Sequence, residues 1–583
     1  KEFDSKIRQS AKRELQSLIN ALNGKMVPTG KGGDPIRNPN ALPTGKNFYA
    51  FDPSKIPSKA VYKLGAKMAD ELLKTYRSEK GSYPGKLTFN LWSTECIRHE
   101  GVQESQILYL LGIKPKWNEW GKVTGLEVIP RHILKRPRID VVMIPSGLYR
   151  DIFSNLMQFL DKAVGLAKKQ DEKDNFVRQH IETLRKQLIG KGVDKKLADR
   201  LASVRMFSVA PGNYGTGMED VIEASGTWEK EEEVVSVFFN RMSHLYGQGF
   251  WGDKAEEKEK QLDGINFSSK DLFKSALKDV KISVHSRSTN LYGTLDNDDF
   301  YQYLGSTAMA VRSVNGESPE VYVTNLSDPS NPRQESLNKF MGREMRSRYL
   351  NPAWINKMMD EGYSGARFIK RVVSHLWGWQ VTVPETVDET KWQEMYEVYV
   401  EDKFDLDIKE KFEDADNLWA YQNILARMIE VTRKEYWNPD KEVVEKLTKE
   451  FVNTVEKVGL ACSGNICDNK KLSDAIVKNM EQIPGLKAKI DTYNEALTKV
   501  QNVQNIIAKV PDPAQFAKTE VNKNLKELPQ KTIEGLEVTE VNKKSNNENR
   551  NVIKEPSVWI FVLLIIFVYG WYSKSKKRND TIK

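Results

Sequence analysis

Two short stretches of this chain gather the side chains that proton and metal chemistry needs. The first is Glu95-Cys-Ile-Arg-His-Glu100, with Gln103 and Glu104 beyond it. Histidine, and carboxyls shifted by burial, exchange protons near neutral pH, so His99, Glu95 and Glu104 can supply protons or ligate a metal. Arg98 can meet a carboxylate. The same residues also suit an ordinary solvated helix start, where acids near the N-terminus are favourable. The second stretch is His285-Ser-Arg287, followed by Asn290, Tyr292 and then Asp296, Asp298 and Asp299. Here Arg287 can clamp a carboxylate, while His285 and Asp296 can face a metal. An Asp-Asn-Asp-Asp run is also a common turn and helix cap. Tyr214 and His244 are further candidates. His132, His180 and His375 sit in charged or apolar helical settings and read as structural.

Other chemistries are excluded or left open. Six histidines and no HExxH spacing give no local paired-histidine zinc site. Gly30-Lys31 and Gly45-Lys46 lack both the Ser/Thr and the preceding glycine spacing of a phosphate loop, so no nucleotide is expected on this chain. Net charge is +9, from 89 basic and 80 acidic residues among 583. An excess that small is solvated surface rather than a nucleic-acid footprint. The three cysteines are Cys96, Cys462 and Cys467. The last two can close a small disulfide loop or remain two thiols near a helix end.

The elements that must position these groups follow from periodicity. Residues 1–25 read as a charged helix. Leu87–Trp92, Leu126–Ile129 and Ile139–Ile144 read as strands, the last with the continuous apolar run of a buried one. A helix over Val102–Leu111 stops at Gly112, and another begins near Tyr149. Strand, helix, strand, strand, helix implies an open α/β sheet, whose ligands lie beyond the carboxyl ends of its strands. Thus 1–205 is expected as an α/β region and 206–335 as a mixed region. Residues 336–510 read as helical: Leu418, Tyr421, Leu425, Met428 and Val431 make one apolar stripe, and Val444, Leu447, Phe451, Val455 and Val458 another, both read as core.

Residues 511–556 have linker composition. They lead into Ser557–Ser573, seventeen uncharged residues flanked by Trp559, Tyr569, Trp571 and Tyr572. That pattern predicts one transmembrane helix over 557–573. The basic tail 574–583 then favours a cytoplasmic C-terminus, an inner-membrane location and a largely extracytoplasmic chain. No initiator Met or apolar leader begins the sequence, which reads as a fragment or processed product.

Several segments resemble the large, tetrapyrrole-binding subunit family of the cobalt and magnesium chelatases. They are Gly33–Pro53, Arg136-Pro-Arg-Ile-Asp-Val-Val142, Ser146–Asp151, Pro211–Gly217, Leu295–Gln302, Asn351–Ile355 and Gly362–Ala366, in family order. The resemblance implies a porphyrin or corrin ring as substrate, with iron or cobalt as the metal moved. For such a substrate the residue types and positions point to His99, Glu95 and Glu104 for catalysis, Arg98, Arg287, Tyr292 and Tyr214 for the ring, and His285 and Asp296 for the metal. Members are about twice this length, so an N-terminal half is expected to complete the site. One departure stands out. Where the cobalt-inserting type carries Glu-His-Asp, this chain has Leu291-Tyr292-Gly293. With the predicted membrane span, this is more similar to a membrane-anchored branch that includes haem dechelatases. Removal of iron from haem is therefore the leading expectation. ATP-dependent cobalt insertion in cobalamin biosynthesis, with separate ATPase subunits, and a non-catalytic haem carrier are the alternatives. A haem-uptake transporter is a possible partner of the first.

Overall fold

The computed structural model describes residues 2–509, apart from 31–34, 36–38, 49–51, 256–266 and 463–465. Residues 1–505 form one compact unit. A small parallel pair, β1 (Thr29–Gly30) with β2 (Asn47–Phe48), precedes the main body. The core is an eight-stranded sheet. Its strands are β3 (Lys86–Leu91), β6 (Asp140–Pro145), β7 (Met206–Ser208), β8 (His244–Gly247), β9 (Phe250–Asp253), β10 (Ile282–Arg287), β11 (Glu320–Asn325) and β12 (Arg333–Ser336). The spatial order is β12-β11-β10-β3-β6-β7-β8-β9.

The centre is parallel and the edges antiparallel. β11, β10, β3, β6 and β7 run together, while β12, β8 and β9 oppose their neighbours. Every residue of β3, β6 and β10 is buried, as expected of strands covered on both faces. From β3 the chain builds outward through β6 to β7, then returns to lay β10 on the other side of β3. The order therefore reverses between β3 and β10, the place where open α/β sheets leave a crevice beyond their carboxyl ends. β3 and β6 come from the expected α/β region and β10 and β11 from the expected mixed region, so one sheet joins them.

A separate antiparallel hairpin, β4 (Ile113–Trp117) and β5 (Val123–Val128), interrupts the path from β3 to β6. The segment Arg136-Pro-Arg138 anchors it. Arg138, buried, donates to the carbonyls of Leu111, Gly112 and Ile129 and grips Glu172 with two bonds of 2.9 Å. A Cβ on Gly112 would fall 2.2 Å from the Arg138 guanidinium, so this left-handed position must be glycine.

From Leu337 onward the described chain is helical, and the two apolar stripes are largely core: Leu418, Tyr421, Leu425, Met428, Val431, Leu447, Phe451 and Val455 are all buried. Cys462 and Cys467 are paired, with Cα atoms 5.0 Å apart, which resolves the alternative left open by their spacing.

The membrane expectation requires correction. Among the described residues no helix is long and apolar enough to cross a bilayer. Even Tyr363–Thr382, buried along most of its length, carries Arg367, Lys370 and Arg371, whose charges would be costly in hydrocarbon. The architecture of the described residues is mixed α/β with a helical C-terminal part, without the expected transmembrane helix on which the inner-membrane location rested. The linker 511–556, the apolar run 557–573 and the tail 574–583 lie outside the described residues.

Candidate functional site

β3 ends at Leu91, and the next residues form the floor of a cleft of about 460 Å³, within the roughly 300–1,000 Å³ usual for ligand pockets. Trp92, Ser93, Thr94 and Arg98 come from the end of β3 and the helix Ser93–His99. Ser146, Gly147 and Leu148 follow β6; Tyr214, Gly215, Tyr292, Asn297, Asp299 and Tyr303 close the sides. Gly147 permits the close approach: a Cβ there would meet the Asn213 carbonyl and the Tyr214 ring, each at 2.7 Å. Three of the four residues expected to hold the ring, Arg98, Tyr214 and Tyr292, therefore share one cleft at the reversal of strand order.

Beneath the cleft lies a buried polar cluster. Glu95 accepts from Ser288 Oγ and Ser286 Oγ, each at 2.8 Å, and pairs with Arg98 at 3.5 Å. Burial pushes its pKa up, but the imidazoles of His99 and His285 and the two serine hydroxyls outweigh that and hold it below the ordinary value. Glu95 is thus a carboxylate. Arg98 also donates to the Tyr292 hydroxyl, joining the cluster to the cleft wall. Burial raises the Tyr292 pKa, helped by the charge of Glu95, and keeps it a neutral phenol.

His285 Nδ1 lies 2.9 Å from the Asn90 carbonyl. A carbonyl only accepts, so Nδ1 carries the proton and Nε2 presents its lone pair. That Nε2 is buried and has no hydrogen-bond partner. Burial lowers the His285 pKa to about 4, against the pull of Glu95, so the ring is neutral near pH 7. A neutral imidazole with one nitrogen fixed by a carbonyl is the usual form of a metal-ligating histidine. His99, also buried, differs: its Nδ1 accepts from the backbone N–H groups of Gly101 (3.1 Å) and Val102 (3.0 Å), which places the proton on Nε2.

The other expected residues stand apart. Glu104 accepts from Tyr149 at 2.8 Å and lies against Cys96, whose thiol is pushed well up by burial and then by the Glu104 charge. Arg287 is buried, donates to the Thr289 carbonyl and pairs with Glu344 at 3.3 Å, so its carboxylate is internal. Asp296 accepts from Arg348 and the Gly293 N–H on one oxygen and from Tyr349 on the other, bracing this loop against the π-helical turn Met345–Tyr349. His180 is bonded to Asp140 and His375 to the Leu295 carbonyl.

Sequence reasoning missed Trp92, Tyr303, Ser286 and Ser288 at this site, and Glu219 outside it. The strand end was a signal for Trp92. Nothing local flags Glu219, whose carboxyl reaches about 7 through burial and then the neighbouring Asp298. Asp299, on the cleft wall, is also raised, first by burial and then by Asp298. No three His, Cys, Asp or Glu ligand atoms converge at the cleft. Among the described residues only Cys462, Cys467 and Asp468 do, and the first two are joined to each other. A larger cavity of about 660 Å³ lies between the β4–β5 hairpin and the helix Ser154–Lys168. None of the expected residues lines it, so the smaller cleft is the candidate site.

A family model described as CobN/Magnesium Chelatase matches residues 1–444. The chain belongs to the CobN/magnesium chelatase family. Among curated relatives, the aerobic cobaltochelatase subunit CobN of Sinorhizobium sp is 31% identical, over 74% of this chain and 33% of that protein. The chloroplastic magnesium-chelatase subunit ChlH of Oryza sativa subsp. indica is 30% identical, over 77% of this chain and 31% of its own. The catalytic subunit of cobaltochelatase from Mycobacterium tuberculosis is similar in structure, with a TM-score of 0.69 and 29% identity, over 77% of this chain and 37% of that one. The match thus spans about a third of the length of these CobN/magnesium chelatase relatives.

Proposed function

We propose that the chain holds a tetrapyrrole in the Trp92–Arg98–Tyr214–Tyr292 cleft and exchanges the metal at its centre. The observation that carries this reading is the pairing of an aromatic cleft with a carboxylate, Glu95, and a neutral imidazole, His285, directly beneath it. Trp92, Tyr214, Tyr292 and Tyr303 offer ring faces to a planar macrocycle. Arg98 can meet one of its carboxylates. His99 is our candidate proton donor to the pyrrole nitrogens; it gives up a proton only as the imidazolium, so its Nδ1 must first release the Gly101 and Val102 N–H groups and take a proton.

Removal of iron from haem is the direction we favour. Tyr292 is neutral and tied to Arg98. On the resemblance drawn from the sequence, Leu291-Tyr292-Gly293 takes the place of the Glu-His-Asp run of the cobalt-inserting type, which leaves the cleft wall fewer groups on which an incoming cation could wait. The buried Glu95 and His285 suit a cation leaving the ring. The second reading is ATP-dependent insertion of cobalt, favoured by relatives named as subunits of cobaltochelatase and magnesium chelatase. It requires ATPase subunits as partners.

The test is titration of haem and of metal-free porphyrin into the full chain, following the Soret band, then assay of iron release and porphyrin fluorescence. A saturable shift is expected with haem, followed by free porphyrin. No saturable shift with either ligand removes the reading altogether. Cobalt consumption only with added ATPase subunits moves it to the second.

A further inference from the structure

The expected ligand on β10 is sealed from the cleft it is meant to serve. His285 is 1% exposed, and the Trp92 indole lies against it with ring centroids 4.2 Å apart. Phe300 packs on both rings, at 4.8 Å from Trp92 and 5.6 Å from His285. Tyr303 meets the indole edge-on at 5.9 Å. Yet Trp92 also lines the cleft, so one indole separates the open space from the imidazole. Both sides of that contact carry an unmet polar atom. His285 Nε2, an acceptor, and Trp92 Nε1, a donor, are each buried without a hydrogen-bond partner. Buried polar atoms are nearly always paired, and two unpaired ones carried by rings in contact point to another arrangement in which they are satisfied. The cleft supplies room for it, because a rotation of the Trp92 side chain moves the indole into the 460 Å³ space it borders.

We propose that Trp92 is the gate between the cleft and His285: metal reaches or leaves the imidazole only while the indole is swung into the cleft. This rests on the metal-exchange reading above. The gate also sets order. A macrocycle seated in the cleft takes the space the indole needs, so in iron removal the ring first binds outward, the indole swings, and the metal crosses to His285 before the ring settles fully into the cleft.

The experiment follows Co²⁺ alone binding to the full chain, without tetrapyrrole, by stopped-flow absorbance and chelator-induced release. Trp92→Ala is expected to raise association and dissociation rates together, each by about tenfold or more, with little change in Kd, as removal of a gate requires. Trp92→Phe keeps an aromatic contact and should give a smaller rise in both; it decides the matter if the alanine variant fails to fold. Unchanged rates overturn the gate. So does a rise in dissociation alone, which would make Trp92 a support for His285. His285→Ala separates the two levels. If Co²⁺ binding survives it at full strength, the metal-exchange reading fails at its ligand, whereas loss of binding with unaltered Trp92 kinetics sinks only the gate.

Discussion

His285 is neutral because burial refuses its charge, and that refusal has a measurable consequence. In the unfolded chain a histidine titrates near 6.5; here the folded value is about 4. Between these values the unfolded chain binds a proton that the folded chain does not, so folding stability falls as pH drops through that window. Above it the group contributes no pH dependence. The full loss is on the order of 3 kcal/mol by pH 4. Urea unfolding at pH 7 and 4.5 should show a steeper loss for the native chain than for His285→Asn; parallel losses would assign the effect elsewhere. His99 needs a different design, because its Nδ1 caps two backbone N–H groups as well as fixing the tautomer. His99→Ala should slow metal release by about 10²–10⁴, the usual worth of one positioned acid. It should also cost about 1 kcal/mol of stability through the lost cap. His99→Asn, which can still accept from the backbone, should recover stability but not rate. A normal rate in His99→Ala removes the donor assignment.

At the scale of elements, the strands and helices were legible because their periodicities are strong. β3, β6 and the helix Val102–Leu110 fall within a residue or two of where apolar runs and Gly112 put them. The site was legible only in part, since its partners are remote in sequence. Glu95 finds Ser286 and Ser288 from 191 and 193 positions away, and no local pattern announces such a pairing. Asp296 shows the converse, a metal-ligand residue type in a promising run that is consumed by Arg348 and Tyr349. Arg136-Pro-Arg138 is similar: it belongs to a family-like segment, yet its guanidinium groups tie carbonyls of the chain to one another. Replacing Arg138 with Met should therefore act on stability. It leaves Glu172 and three carbonyls without their donor and is expected to cost about 3–5 kcal/mol. Co²⁺ binding by whatever protein remains folded should be unchanged. A variant as stable as the native chain would show that the hairpin β4–β5 is held by other contacts.

At the scale of the molecule, the sheet converts four distant segments into one cleft. Trp92 follows β3, Ser146 follows β6, Tyr214 follows β7, and Tyr292 follows β10, all beyond carboxyl ends of parallel strands. Because the order reverses between β3 and β10, the ends diverge there and leave space that side chains do not fill. All these segments lie within Lys1–Asn505, and so do the helices that cover the sheet. The fold and the cleft should therefore be independent of the residues C-terminal to Asn505. A chain ending at Asn505 is expected to unfold at the same urea midpoint as the full chain and to give the same haem Soret shift within about twofold in Kd, a difference below about 0.5 kcal/mol. Loss of the shift with an unchanged midpoint would mean that residues beyond 505 contribute to the ring site. Loss of both would mean that the compact unit needs its C-terminal extension to fold.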